Sequence, residues 1–138
     1  MAETKNIHLS SFFKESNVHL VEKSIITPQG FRATGVACGL KPEGMDLALI
    51  ISDRPACAAG MFTTNQVKAP PLQVNRENLQ NGQAQAIVVN SKNANACTGK
   101  QGLEDARRMA LVAADHLGLA PKDILINSTG VIGVPLPM

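Results

Sequence analysis

The stretch AIVVNSKNANACTGKQGLEDARRMALVAADHLGLAPKDILINSTG, residues 86–130, carries the clearest structural pattern in the chain. Residues 86–90 are apolar and rich in β-branched side chains, which predicts a strand. Residues 91–99 are small, polar and rich in Asn, which predicts an ordered loop held by bonds from side chains to the backbone. Apolar and small residues recur at helical spacing from 102 to 117, and residues 124–127 are typical of a second strand. This succession of strand, loop, helix and strand indicates a mixed α+β fold.

Two signals mark the ends of the predicted helix. Thr98 with Gln101 three residues later resembles a capping box at its start. Gly118 predicts the stop, with Pro121 shortly beyond it. We therefore expect the helix to begin just after Thr98.

The charged residues of this helix are expected to be unreactive. Arg107 and Arg108 are interpreted as its solvated face. His116 lies near the C-terminal end, where a cation interacts favourably with the helix dipole, so a structural or surface role is favoured over general-base work.

Towards the N-terminus, short apolar runs alternate with turn residues, which predicts short strands that are mostly antiparallel neighbours. The run LALIIS at 47–52 is apolar nearly throughout, which predicts a strand covered on both faces of a layered fold. A short strand at 72–74 and a helical turn at 76–80 are expected after two prolines. The predicted strands of this region lie at 24–27, 31–38, 47–52 and 58–63.

Length and composition indicate one globular domain. The chain has 138 residues, of which 44% are hydrophobic and 3% aromatic, and its formal net charge is +2. A chain of this length buries about 68–70% of its surface on folding, so an aliphatic core suffices without disulfide or metal. Residues 1–23 show no sustained period and are interpreted as a loosely ordered lead-in, with the domain over 24–138.

Charge and hydropathy argue against two classes of partner. A charge of +2 without any run of Lys or Arg gives little field to hold a phosphate backbone, so nucleic acid is not expected. No apolar stretch approaches the roughly 20 residues that cross a bilayer, so no membrane association is expected.

The three cysteines indicate a reducing compartment and no zinc site, because their number is odd and their spacing is wide. Cys38 and Cys57 lie in apolar segments and are expected to be small buried hydrophobes. Cys97 has polar neighbours, and its role is left open.

The tripeptide Ser128–Thr129–Gly130 follows a predicted strand and is the strongest candidate for chemistry. A hydroxyl next to a glycine N–H can aim two donors at one spot, which is the geometry that stabilises an oxyanion. A simple turn in which the glycine takes a positive φ is the other reading, and on the tripeptide alone it is favoured.

Other candidates have similar alternatives. Asn93 and Asn95 could orient a substrate, but Asn is also common in loops because it satisfies nearby backbone groups. Ser128, Thr129 and Cys97 have no evident base beside them, so no nucleophile is assigned in this chain. Motifs for nucleotide, zinc or α/β-hydrolase chemistry do not occur in the sequence.

Four segments together resemble the ornithine acetyltransferase family, also called glutamate N-acetyltransferases, of arginine biosynthesis. The strings NANACTG and STGVIG, separated by one helix and one strand, carry the resemblance most specifically. It extends over about residues 28–138 through GFRATGVACGLK, DLALIISDRPACAAGMFTTNQVKAPP, AIVVNSKNANACTGKQG and INSTGVIGVPLPM.

The resemblance implies a layered α/β/β/α sandwich of the type that cleaves itself before a threonine. That threonine then begins a β chain and acts as the nucleophile, taking an acetyl group from N-acetylornithine and passing it to glutamate. By motif match, Thr129 and Gly130 form the oxyanion hole. The resemblance further implies an α2β2 heterotetramer in the cytoplasm that uses no cofactor, with acetyl-CoA left open as a co-substrate.

The same resemblance places this chain at the N-terminal part of an α chain, so residues 1–138 alone are expected to be inactive. Substrate-contacting residues beyond the oxyanion pair are not assigned. The alternatives are a self-processing aminopeptidase of the same fold, or a non-catalytic ligand-binding or subunit domain.

Overall fold

A computed structural model describes residues 24–138, which form one mixed sheet with two α-helices. The strands follow the order β1–β2–β3–β4 in the sheet. The first two pairings are antiparallel, whereas β3 and β4 run parallel and are connected through α2. The α+β prediction is therefore confirmed. The elements are β1 (Phe31–Val36), β2 (Leu47–Cys57), α1 (Pro70–Asn78), β3 (Gln83–Asn90), α2 (Gly99–Leu117) and β4 (Ile124–Ser128), with short 3-10 turns at Leu79–Asn81 and Pro121–Asp123.

The core lies between the sheet and α2. Ala106, Ala110 and Ala114 recur at helical spacing and are almost completely buried. Because successive strand residues point to opposite faces, every second residue of β3 and β4 meets this alanine stripe. The buried cluster comprises Val74, Ala86, Val88, Ala106, Ala110, Ala114, Ile124 and Ile126.

The opposite face of the sheet is apolar and half-buried. Cross-strand pairing places Ile50 beside Ile87, and Ile87 beside Leu125. The described helices pack on the other face, so the expectation that residues 47–52 are covered on both faces is not met within residues 24–138. We call the residues Ala33, Ile50, Ile87, Val89 and Leu125 the open sheet face.

β2 continues beyond its predicted end at residue 52. Its pairing with β3 shifts register between Ile51 and Ala56, which marks a β-bulge. Pro55 lies within the bulge, where its missing N–H does not interrupt the ladder. Pairing with β3 thus extends the strand past turn residues that would otherwise end it.

α1 closes the outer edge of β4 with two asparagine side chains. Asn75 Nδ2 donates to the Ile126 carbonyl at 2.8 Å, and Asn75 Oδ1 accepts from the Ile126 N–H at 2.8 Å. Asn78 Nδ2 donates to the Ile124 carbonyl at 2.8 Å. The Asn75 amide therefore replaces one residue of a neighbouring strand, which a sheet edge otherwise lacks.

This arrangement corrects the strand predicted at 72–74, which instead lies within α1. Pro70 and Pro71 occupy the first helical turn, where their fixed φ favours a helix. Helical spacing then brings Asn75 and Asn78 to the same side, facing β4. The helical turn predicted at 76–80 divides between α1 and the 3-10 turn after it.

Further predictions for the first half of the chain are wrong or lie outside the described residues. Residues 24–27 form a turn, and 58–63 have no regular structure, because neither segment finds a pairing partner among the four strands. Cys38 and Cys57 are exposed rather than buried. The lead-in predicted at 1–23 lies outside the described residues.

The predicted capping box of α2 is also corrected, although the helix begins where it is expected. The helix begins at Gly99, but Thr98 makes no capping bond, since its hydroxyl pairs with the Asn95 side chain. Gln101 bonds Asp105 one turn further on. The stop at Gly118 is confirmed by its left-handed φ of 66°.

Candidate active site

The NANACTG and STGVIG segments lie side by side at one edge of the sheet. Parallel strands β3 and β4 both end there, with Asn90 opposite Ser128. The pairing resumes past the strand ends, because Val131 N–H donates to the Lys92 carbonyl at 2.7 Å and Ala94 N–H donates to the Val131 carbonyl at 2.8 Å. The fold therefore joins the two most specific sequence motifs.

Thr129 and Gly130 lie between these paired positions. The Thr129 N–H donates to the Asn90 carbonyl at 3.1 Å, so that backbone donor is occupied. Within residues 24–138, neither the Thr129 hydroxyl nor the Gly130 N–H has a hydrogen-bond partner, and both residues are exposed. Both donors are therefore free to bond a group outside residues 24–138.

Glycine is required at position 130 by the close approach of the two segments. Its φ is 136°, and an added Cβ would overlap the Lys92 carbonyl group. A side chain here would push the segment after β4 away from the loop. The turn interpretation of this glycine is therefore compatible with the oxyanion prediction, which stays a prediction.

Asn93 and Asn95 are structural. Asn93 is 8% exposed and Asn95 1%. Asn93 Nδ2 donates to the Pro135 carbonyl at 3.2 Å, and Asn95 Nδ2 donates to the Gly102 carbonyl at 2.7 Å. These amides hold the loop to its surroundings, as expected for the alternative in which Asn satisfies backbone groups.

The Ser128 hydroxyl is also committed to the loop. It accepts from the Asn95 N–H at 2.9 Å and donates to the Asn93 carbonyl at 2.9 Å. No carboxylate or imidazole hydrogen-bonds to it among the described residues, so it lacks the activation that a nucleophile needs.

The remaining charged candidates match the surface roles predicted for them. His116 is exposed, and its Nδ1 lies 2.8 Å from the Val112 carbonyl. It lies about 25 Å along α2 from the loop, at 1.5 Å per residue. Arg107 faces Glu77 at 3.4 Å and Arg108 is exposed, so both belong to the solvated face of the helix.

Asp46, which no sequence pattern predicts as a site residue, supports the Asn-rich loop of the candidate site through hydrogen bonds. Its carboxylate accepts from the Cys38 N–H at 2.6 Å and from the Lys41 N–H at 2.8 Å. Its own carbonyl accepts from the Ser91 N–H at 2.8 Å, which ties the β1–β2 connection to the start of the Asn-rich loop. The sequence feature that could have pointed to Asp46 is an acidic residue directly before an apolar strand.

The same contacts shift two pKa values. Hydrogen bonds from the N–H groups of Cys38 and Lys41 hold the pKa of Asp46 well below its ordinary value. Desolvation, together with the hydrogen bond to and the charge of Asp46, raises the pKa of the Cys38 thiol. Cys38 is therefore exposed yet less readily ionised to the reactive thiolate.

Asp46 is expected to make stability depend on pH. Its pKa is lowered in the folded state, so its contribution is complete above the unfolded value of about 3.9 and is lost as the pH falls towards the folded one. The difference in unfolding free energy between wild type and Asp46→Asn should therefore narrow below about pH 4. Urea unfolding at a series of pH values checks this. Asp115→Asn, an exposed carboxylate on α2, serves as the control and should differ little from wild type. A difference in unfolding free energy between wild type and Asp46→Asn that stays constant or widens down to pH 3 would contradict the expectation.

Lys92 adopts a backbone conformation that favours glycine, with a φ of 92°. A non-glycine residue in such a region costs about 1–3 kcal/mol. Lys92→Gly should therefore raise the free energy of unfolding by about 1 kcal/mol, after the extra entropy of glycine in the unfolded chain is subtracted. Lys92→Ala keeps the strain and removes the side chain, so it should not stabilise. Equal stabilisation by both variants in urea unfolding would show that the side chain, rather than the backbone, is responsible.

The described part of the chain offers neither a cluster of metal ligands nor a membrane-spanning helix. No group of three His, Cys, Asp or Glu side chains converges to hold a metal ion within residues 24–138. No helix there is long and apolar enough to cross a membrane.

Comparison with known proteins gives a consistent result. The family model described as the ArgJ family matches residues 32–138. The arginine biosynthesis bifunctional protein ArgJ of Bacillus cereus is 52% identical over 127 residues, which are 91% of this chain and 31% of that protein. The ArgJ protein of Caldanaerobacter subterraneus is 51% identical over 121 residues, which are 88% of this chain and 30% of that protein.

Two solved structures share the fold. The arginine biosynthesis bifunctional protein ArgJ of Bacillus halodurans superposes with a TM-score of 0.77 at 44% identity, covering 80% of this chain and 58% of that one. The ornithine acetyltransferase of Mycobacterium tuberculosis complexed with ornithine gives a TM-score of 0.74 at 41% identity, covering 81% of this chain and 62% of that one.

The chain spans about a third of the length of the curated relatives that it matches. The matched part includes both strands of the candidate site and the segments that follow them. On the family model, the identity to these relatives and the shared fold, the chain belongs to the ArgJ family of arginine biosynthesis.

Proposed function

We propose that this chain supplies the oxyanion hole of an acetyltransferase that moves an acetyl group from N2-acetyl-L-ornithine to L-glutamate. The observation that carries the proposal is the pair of exposed donors of Thr129 and Gly130, which have no hydrogen-bond partner among residues 24–138 and are held against the Asn-rich loop. Membership in the ArgJ family supports the substrate class, since one relative of known structure is an ornithine acetyltransferase with bound ornithine.

The two donors would act when the acetyl carbonyl is attacked. Its oxygen then gains negative charge, and preorganised donors lower the energy of that state more than they lower that of the substrate. The Thr129 hydroxyl and the Gly130 N–H lie on consecutive residues, and the proposal requires that both bond the same oxygen.

The nucleophile in this proposal is the N-terminal threonine of a β chain produced by self-cleavage. Its hydroxyl oxygen bonds to the acetyl carbon, the bond to the ornithine nitrogen breaks, and ornithine leaves with the proton. The glutamate amine then attacks the acetyl-threonine ester and restores the hydroxyl. In this scheme the α and β chains assemble as an α2β2 tetramer in the cytoplasm, no cofactor is needed, and acetyl-CoA is a second acetyl donor to be tested.

The open sheet face supports the layered α/β/β/α arrangement within this proposal. Ile50, Ile87, Val89 and Leu125 are half-buried, and Phe31 at the end of β1 is 37% exposed. A continuous apolar face of this kind is usually covered in a complete protein. We propose that a second sheet, from the remainder of the family protein, packs there.

An acetyl-transfer assay on a full-length family protein carrying this chain tests the proposal. With N-acetylornithine and glutamate we expect N-acetylglutamate and ornithine in equal amounts, and a parallel reaction with acetyl-CoA decides whether that donor is used. Release of amino acids from peptides, without acetyl transfer, would favour the aminopeptidase. A processed, folded protein without either activity would favour a non-catalytic domain.

A further inference from the structure

The Ser128 hydroxyl is a half-buried connection between β4 and the Asn-rich loop, directly before the candidate oxyanion pair. It accepts a hydrogen bond from Asn95 N–H and donates one to the Asn93 carbonyl, each at 2.9 Å. One hydroxyl thus bridges two residues of the opposing segment, and both of these residues are buried.

The loop that receives these bonds is itself fixed at both ends. Asn95 Nδ2 donates to the Gly102 carbonyl in the first turn of α2 at 2.7 Å, and Asn90 Nδ2 donates to the Asn93 carbonyl at 2.8 Å. The loop is therefore anchored to α2 and to the end of β3. Through Ser128, the start of the Thr129–Gly130 segment is held in place relative to α2 and the end of β3.

We propose that Ser128 is a positioning residue, which holds the Thr129 hydroxyl at the distance from the acyl oxygen that catalysis requires. The inference rests on the proposed function. Oxyanion donors act at about 2.7–3.1 Å from the charged oxygen, and a misplacement of about 1 Å can cost a hundredfold in rate.

Loss of the hydroxyl would leave the segment held by fewer bonds. The remaining bonds nearest the site join Thr129 N–H to Asn90 at 3.1 Å and Val131 N–H to Lys92 at 2.7 Å. Asn95 N–H would lose its acceptor in a buried place, which favours a local rearrangement of the loop.

Kinetics of the full-length family protein test the inference. Ser128→Ala should lower kcat about tenfold with KM changed less than twofold, because the oxyanion exists in the transition state and not in the bound substrate. Ser128→Thr keeps a hydroxyl and should restore kcat to within about threefold of wild type. Ser128→Cys keeps the shape with weaker hydrogen bonds and gives an intermediate loss, so it replaces Ser128→Ala if that variant does not fold.

A double-mutant cycle with Thr129→Ala separates positioning from general stability. If Ser128 acts through Thr129, Ser128→Ala should cost less than about threefold in the Thr129→Ala background. An equal tenfold loss in both backgrounds, or wild-type kcat in Ser128→Ala, would overturn the inference. Thr129→Ala with wild-type kcat would instead refute the proposed oxyanion role, and the inference with it.

Discussion

Replacement of Thr129 by alanine in the full-length family protein is expected to lower kcat about 10²–10³-fold, since that is the usual loss for one oxyanion donor. The Thr129 hydroxyl has no partner among residues 24–138, so its removal leaves no buried group unsatisfied there and should affect folding little. KM for N-acetylornithine should change little, because the interaction develops in the transition state.

Thr129→Ser is the matched control for this prediction. It retains the hydroxyl on the same backbone and should keep kcat within about tenfold of wild type. Steady-state kinetics with unfolding midpoints for each variant give the comparison. A Thr129→Ala enzyme within threefold of wild type would contradict the assignment.

Replacement of Asn75 by alanine is expected to cost about 3 kcal/mol of unfolding free energy. The change leaves both the N–H and the carbonyl of Ile126 without partners, and Ile126 is fully buried. Each unsatisfied buried group costs about 1–3 kcal/mol. No other described side chain hydrogen-bonds to these two atoms, and the helix keeps water from them.

Asn78→Ala provides a graded control on the same helix. Its amide donates to the Ile124 and Pro121 carbonyls in a less buried place, so a loss of about 1 kcal/mol is expected. Urea unfolding of wild type, Asn75→Ala and Asn78→Ala measures whether the loss is larger for Asn75→Ala. Equal, small losses for both variants would show that α1 does not complete the edge of β4.

Local sequence patterns are sufficient to predict the elements of the second half of the fold. The alanine and leucine spacing of α2 and the stop at Gly118 are set by neighbouring residues, and β3 and β4 each contain β-branched side chains, at 87–89 and at 124 and 126. Here the preference of each segment agrees with its tertiary environment, which is why the sequence is informative.

The errors occur where distant partners decide the structure. Residues 72–74 have the local pattern of a strand but lie within α1, whose Asn75 bonds Ile126, 51 positions away. Thr98 has the local pattern of a helix cap but bonds the Asn95 side chain. In both places a tertiary contact overrides a local signal.

The candidate site was predictable in part. Thr129 and Gly130 are recognisable as a hydroxyl and a glycine after a strand, but on the tripeptide alone an ordinary turn is favoured. The contacts of Gly130 with Lys92, and of Ser128 with Asn93 and Asn95, depend on the parallel pairing of β3 with β4. Asp46 escaped notice because its partners are backbone N–H groups, which every residue but proline carries.

The most direct test of the central claim is the intact mass of the full-length family protein after rapid mixing with N-acetylornithine in the absence of glutamate. The account predicts that the chain with the N-terminal threonine gains one acetyl group, that glutamate removes it, and that Thr129→Ala slows its formation at least about 100-fold. Formation of the acetyl-protein at an equal rate in wild type and Thr129→Ala, or transfer to glutamate without any acetyl-protein, would contradict it.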